Sequence, residues 1–316
     1  MVSIALCTYN GARFLSQQLD SLLAQTYGNL EIVVNDDGSS DETIAILERY
    51  ACRDARIGLE VNPENIGFGS NFRLALERCH GTFIAPCDQD DVWMPEKIAA
   101  LVAAIGTRQL AYCDSILIDA AGKPLGPRMS DIVPMSSCTD PSMFAFGNCV
   151  SGHAMLFRRE LLRQALPVPG VFFYDWWIAA VAAAAGGIVF CNQSLVLYRQ
   201  HGMNVTDDRL SEMMRDAGIA SSRKPTDDPS VSSQEKGHRF FRETTERLAS
   251  LSRLPGLHQS FVSELLRLWT ARENQYVSPA LGLFMMRNRK RLLALTQMSQ
   301  DKQTRFCRRM FRGLKK

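Results

Sequence analysis

The chain has 316 residues, of which 46% are hydrophobic and 22% charged, the balance of a soluble globular protein with one large domain and an appendage. Nine scattered cysteines without a CxxC pair argue against a disulfide framework and for a reducing cytoplasm. The formal net charge of +3 hides a split: residues 281–316 hold eleven Lys/Arg against Asp301 alone, leaving 25 basic and 32 acidic residues elsewhere.

In chain order, Val2 to Thr8 is a short apolar run that predicts a buried first strand, with no signal-peptide pattern. Phe14, Leu15, Leu19, Leu22 and Leu23 then recur at helical spacing. Leu30 to Val34 predicts a second strand ending at Asn35-Asp36-Asp37-Gly38, and Ser39-Ser40-Asp41-Glu42 fits a capping box opening the next helix. Ile57–Val61 and Thr82–Pro86 predict strands three and four around a helix from Phe68 to Cys79. Pro95 falls at a first helical position before Ile98 and Leu101. Strand and helix alternate with short connections, which implies right-handed crossovers and a mainly parallel, doubly wound sheet.

Leu110 to Ile118 predicts another strand, while Gly122 to Ser142, rich in Gly, Pro and Ser, reads as loop. The apolar run Ile178 to Cys191 contains Gly186-Gly187 and is too short to span a membrane; it reads as a buried helix running into a strand. Residues 206–238 are polar and aperiodic and read as a linker or mobile insert. Helical spacing returns through Leu248, Leu251, Leu265 and Leu268, so the expected division is 1–205, 206–238 and a helical, basic 239–316.

In an open parallel sheet, ligands bind at the carboxyl ends of the strands. Thr8-Tyr9-Asn10, Asp36-Asp37 and Asp88-Gln89-Asp90-Asp91 all fall on such ends. Taken singly, acid-rich strand ends are usually turns or caps; together they converge on one crevice. Mg²⁺ or Mn²⁺ uses one or two carboxylates with substrate phosphates completing its shell, so the third cluster suits a diphosphate leaving group. Gly67-Phe68-Gly69 lacks the third glycine of a dinucleotide fingerprint, and no P-loop is present.

The segments Ala5–Asn10, Val33–Ser39, Asn65–Gly67 and Asp88–Lys97 resemble glycosyltransferase family 2, as do Ser151–Met155, Tyr174–Trp177 and Tyr198–Asn204. The resemblance covers roughly residues 2–205 and implies a GT-A fold and an inverting, metal-dependent transfer of a sugar from a nucleoside diphosphate. The DQDDVW and DWW wording is most similar to bacterial rhamnosyltransferases of cell-surface polysaccharides such as O-antigen. The resemblance implies that Thr8 and Tyr9 line the nucleotide pocket, with Asp37 accepting from a pyrimidine ring N–H, so that the donor is a dTDP- or UDP-sugar. It places Asp88 near the ribose or sugar, Asp90 on the Mg²⁺ or Mn²⁺ ion, His201 on that metal or on a phosphate, and Arg199 against the diphosphate. Gly152 and His153 fall on the acceptor side, where the family more often has a small or thiol side chain at 153. Asp175 matches the catalytic base; without the other motifs a helix N-cap is an equal reading. Trp176 and Trp177 read as core or as a stacking wall, with core the safer reading.

In residues 281–316, Leu283, Phe284, Met285, Leu292, Leu293, Phe306 and Phe311 lie among dense Arg/Lys. That composition suits helices on an anionic membrane surface, and with it a lipid-linked or glycan acceptor at the inner face of the cytoplasmic membrane. The plainer reading is a solvated basic face on packing helices. A nucleic-acid role lacks a helix-turn-helix, zinc or stacking pattern, and the main domain is acidic. A nucleotidyltransferase should carry a basic glycine-rich triphosphate loop, which Thr8-Tyr9-Asn10-Gly11 is not. A non-catalytic nucleotide-sugar-binding protein would need neither Asp90 nor Asp175.

Overall fold

The computed structural model describes residues 1–201, 232–296 and 298–314. The first half alternates β1 (Val2–Thr8), α1 (Ala12–Leu23), β2 (Leu30–Asp36), α2 (Thr43–Ala51), β3 (Ile57–Val61), α3 (Phe68–Glu77) and β4 (Phe83–Cys87). β1 pairs in parallel with β2 on one side and β4 on the other, and β3 lies outside β2. Every residue of β1 is buried, as expected of a strand covered on both faces. The chain runs outward from β1 in both directions, so the gap between the carboxyl ends of β1 and β4 is a topological switch point.

Beyond it come β5 (Val92–Trp93), α4 (Lys97–Ile105), β6 (Leu110–Ile118), β7 (Pro124–Arg128), α5 (Met129–Ile132), β8 (Met155–Arg158), α6 (Leu162–Ala165), α7 (Tyr174–Ala185) and β9 (Ile188–Arg199). The sheet order is β3-β2-β1-β4-β8-β6-β9-β5, with β7 on β6. The long pairings are parallel, and the short ones made by β5, β7 and β8 are antiparallel. The fold is therefore α/β with a mainly parallel sheet and a helical C-terminal part.

Several local expectations fail for identifiable reasons. Ser39 does not cap α2; its hydroxyl donates to Asp36 Oδ2 at 2.7 Å, and Asp41 accepts from the Thr43 N–H at 3.0 Å instead. Pro95 lies outside α4, which starts at Lys97. The loop expected over 122–142 holds β7 and α5, because Ile116 and Ile118 of β6 offer pairing partners that composition does not reveal. Helix α8 starts at Ser233 inside the expected linker, with a reciprocal Ser232–Glu235 capping box; residues 206–231 of that linker lie outside the described residues.

Helices α8 (Ser233–Ser252), α9 (Gln259–Ala271), α10 (Pro279–Arg287), α11 (Arg289–Leu292) and α12 (Gln300–Arg309) share one apolar core with α7 and the Pro141–Ala145 turn. Leu281, Met285, Leu292, Leu293, Cys307 and Met310 are buried there in one cluster with Trp176, Trp177 and Phe144. This corrects the picture of bulky tail residues offered to a membrane. Phe284 and Phe306 are half-buried against the same core, Phe311 fills the space beside Gly282, and of that set only Leu283 is exposed. Among the described residues no helix is long and apolar enough to cross a membrane.

Candidate active site

The carboxyl ends of β1, β2 and β4 open into a crevice of about 530 Å³ whose lining includes Thr8, Tyr9, Asp37, Asp88, Asp90 and His201. On its β1–β2 side the polar groups are already satisfied. The Thr8 hydroxyl donates to Asp36 Oδ2 at 2.6 Å, and the Ser39 N–H donates to Asp36 Oδ1 at 2.8 Å, so Asp36 holds the strand ends together. Asp37 is buried; its Oδ1 accepts from Asn62 Nδ2 and the Ile66 N–H, and its Oδ2 from the Gly67 N–H, each at 2.9 Å. Gly67, at φ 87°, supplies the left-handed turn that aims this N–H. Oδ2 keeps a lone pair for a further donor. Tyr9 is 46% exposed, and Gln89 grips its backbone, accepting from the Tyr9 N–H at 2.9 Å and donating to its carbonyl at 3.1 Å.

The β4 end differs. Asp88 is pushed up to about 7, by burial first and then by the Asp90 charge. Burial likewise raises Asp91, which is fully enclosed; its Oδ1 accepts from the Arg199 N–H at 3.0 Å, while Oδ2 has no hydrogen-bond partner. Asp90 Oδ2 lies 2.7 Å from His201 Nε2, and the imidazole stacks on Phe14 with centroids 4.9 Å apart. Three crowded carboxylates with an orphaned buried oxygen are what a divalent cation would relieve, and Asp90 with His201 offers it an oxygen and a nitrogen ligand. Below them, Asp88, Asp91 and His153 bring one ligand atom each to within 4.8 Å of one another. There the imidazole is bonded to Ser115 Oγ at 2.9 Å and stacked on Tyr198, and burial, followed by Lys97, lowers it to about 3.

A second cavity, of about 130 Å³, adjoins the crevice and shares Phe68, Asp88 and Tyr198 with it. Asp175 stands on its wall in the first turn of α7, where a carboxylate complements the helix dipole. It is not the N-cap, which is Phe173; its Oδ1 accepts from the Trp176 N–H at 2.6 Å. Gly152 is required opposite, because a Cβ would collide with the Tyr174 hydroxyl, whose ring stacks on Phe72. Trp176 and Trp177 are core residues, and the Trp176 indole donates to the Phe144 carbonyl at 2.8 Å.

Thr8, Tyr9, Asp37, Asp88, Asp90 and His201 thus share one crevice, with Asp175 in the adjoining cavity. Arg199 does not join them. It is 1% exposed, and its guanidinium donates to the Asp90 carbonyl and to Gln17 Oε1, both at 2.7 Å, so it braces the acidic segment from behind. The exposed Arg13 is the arginine that lines the crevice among the described residues. Sequence reasoning also missed Lys97, whose ammonium donates to the His153 carbonyl at 2.6 Å and sits 2.9 Å from the Trp93 ring centroid. A signal existed: Lys97 shares the inward stripe of α4 with Ile98, Leu101 and Ile105.

A switch-point crevice with an aromatic-polar first strand end, a loop-bound acid and a crowded acidic cluster defines an α/β protein of the GT-A kind. The Glycosyl transferase family 2 model matches residues 3–166, just over half of the chain, and the chain belongs to that family. An uncharacterized glycosyltransferase of Nostoc sp. is 29% identical over 216 residues, covering 64% of this chain and 66% of that protein. One from Haemophilus influenzae is 28% identical, with the same two coverages of 64% and 66%; the chain thus spans just under two thirds of these relatives. Among solved structures, S. aureus TarS 1–349 in complex with UDP-GlcNAc aligns with a TM-score of 0.55 at 18% identity, covering 85% of this chain and 87% of that one. The mannosyltransferase PcManGT from Pyrobaculum calidifontis, in complex with GDP-Man and Mn²⁺, gives 0.51 at 19% identity, covering 87% and 80%. At these identities the two structures show a shared fold.

Proposed function

We propose that the chain is an inverting, metal-dependent glycosyltransferase using a pyrimidine nucleoside diphosphate sugar. The observation that carries this reading is the junction at Asp88, where the polar crevice meets the cavity walled by Asp175. Tyr9 would pack on the base or ribose, and the remaining Asp37 Oδ2 lone pair would accept the ring N–H of uracil or thymine. Cytosine offers no such donor. Asp90 and His201 would hold Mg²⁺ or Mn²⁺, which when bound neutralises charge developing on the diphosphate. With the anomeric carbon near Asp88, an acceptor hydroxyl in the second cavity attacks from the face opposite the diphosphate. Its proton passes to Asp175 as the new C–O bond forms and the bond to the diphosphate oxygen breaks, which inverts the centre. The likeness to complexes with UDP-GlcNAc and GDP-Man supports a nucleotide-sugar donor of some kind.

Within this reading, thymidine diphosphate rhamnose is the first donor to try, on the DQDDVW and DWW wording, with a lipid-linked or glycan acceptor at the cytoplasmic face of the membrane. The test is a screen of nucleoside diphosphate sugars with the purified chain, scoring donor consumption. Pyrimidine donors should be consumed, chelator should stop the reaction, and Mn²⁺ or Mg²⁺ should restore it. Full turnover in excess chelator would remove the metal, and preference for guanosine or cytidine diphosphate sugars would overturn the role of Asp37.

A further inference from the structure

We infer that the edge formed by Tyr276, Val277 and the end of α12 is a docking surface for an anionic lipid bilayer. With most bulky tail residues turned inward, a different set of apolar side chains is left outside. Tyr276 is 64% and Val277 68% exposed, adjacent in sequence and among the most exposed large hydrophobic residues described. They sit on a fixed rib. Val277 bridges Arg312 in antiparallel fashion, the Gly313 N–H donates to the Tyr276 carbonyl at 2.9 Å, and the Ser278 N–H donates to the Phe311 carbonyl at 2.8 Å. Gly313 is obligatory there, because a Cβ would collide with the Gln275 carbonyl.

One cation, Arg312, stands on the rib itself, and others lie on the helix that leads into it. Helix α12 turns Cys307 into the core and is followed there by Met310, while Lys302, Arg305, Arg308, Arg309 and the later Arg312 stay exposed. Arg305 and Arg309 are one turn apart, so they stand on one face. The sequence continues with Lys315 and Lys316, and the acids within residues 272–316 are Glu273 and Asp301. An exposed Tyr–Val pair flanked by arginines matches the headgroup boundary of a bilayer, where an aromatic ring with a polar tip is at home and anionic lipids attract the cations. No residue of the rib lines the crevice or the second cavity.

The test is co-sedimentation of the full chain with phosphatidylcholine vesicles containing about a third phosphatidylglycerol, with pure phosphatidylcholine as control. Binding should occur only with the anionic vesicles and fall as salt shortens the screening length. Arg308→Gln/Arg309→Gln should weaken it by about tenfold or more, and so should Tyr276→Ser/Val277→Ser. Both double variants change exposed side chains, and their melting curves should overlay that of the parent. Absence of sedimentation, equal binding to neutral vesicles, or undiminished binding by both variants would each overturn the assignment.

Discussion

The two sides of the crevice treat their acids in opposite ways. On the β1–β2 side, Asp36 and Asp37 are enclosed by N–H and hydroxyl donors from Thr8, Ser39, Asn62, Ile66 and Gly67. On the β4 side, half-buried Asp88 and fully buried Asp91 are both raised, by burial first and then by the Asp90 charge, with an oxygen of Asp91 unpaired. A satisfied acid organises a loop; an unsatisfied one stores a demand for a cation. The β4 side and the adjoining cavity also rest on other supports. Arg247 of α8 lies over the Trp176 ring at 5.2 Å, and Arg291 of α11 binds Asp140 at 2.5 Å, so the C-terminal helices brace the wall that carries Asp175.

The largest expected effect tests that brace. A chain ending at Ala280 loses buried Leu281, Met285, Leu292, Leu293, Leu295, Cys307 and Met310. At about 1.5–3 kcal/mol for each fully buried side chain, the loss is comparable with the whole net stability of a typical domain. The truncated chain should aggregate or melt without cooperativity. A sharp thermal transition with donor consumption intact would show that the wall stands without the helices.

Next is Asp175→Asn, which keeps shape and removes basicity. Turnover should fall about 10²–10⁴-fold while donor affinity, set across the crevice, barely moves. Collapse of donor affinity with turnover retained at saturation would make Asp175 a binding residue and erase the division between the two sides.

Asp37→Asn probes the satisfied side. The amide must turn its NH₂ toward at least one of the N–H donors now held, so we expect a loss of about 1–3 kcal/mol in stability together with weaker pyrimidine nucleotide binding. Calorimetric titration with uridine and thymidine diphosphates measures the binding and a denaturant curve the stability; unchanged stability would mean that the loop does not depend on this acid.

The smallest effect concerns His153, held at about 3 by burial against an ordinary value of 6.5. Between those values the unfolded chain takes up a proton that the folded chain refuses. The stabilising contribution is therefore complete above pH 6.5 and is lost as pH falls toward 3, by up to about 1.4 kcal/mol per pH unit. Asp88 and Asp91, with raised values, act with the opposite sign, so the readout is the difference between wild type and His153→Gln. Denaturant curves from pH 7 to 4 should show the variant losing less stability; parallel curves would place a charged imidazole in the folded state.

Much of this was legible beforehand because it is local. Buried apolar runs, 3.6-residue spacing and polar strand ends specify β1 to β4, α1 to α3 and the clusters at Thr8, Asp37 and Asp88–Asp91, since each depends on residues close in sequence. Residues 175 and 201 entered through motif wording, because nothing within their own segments says that they approach strand four. Tertiary structure alone decided that Arg199 faces carbonyls behind the acidic segment and that Lys97 donates beneath His153. It also decided that β7 forms on β6 and that the tail's bulky side chains point inward. Each of these is a choice between burial partners far apart in the chain. Composition counts apolar and charged residues in a segment, but only the packed neighbours determine which of its faces loses water.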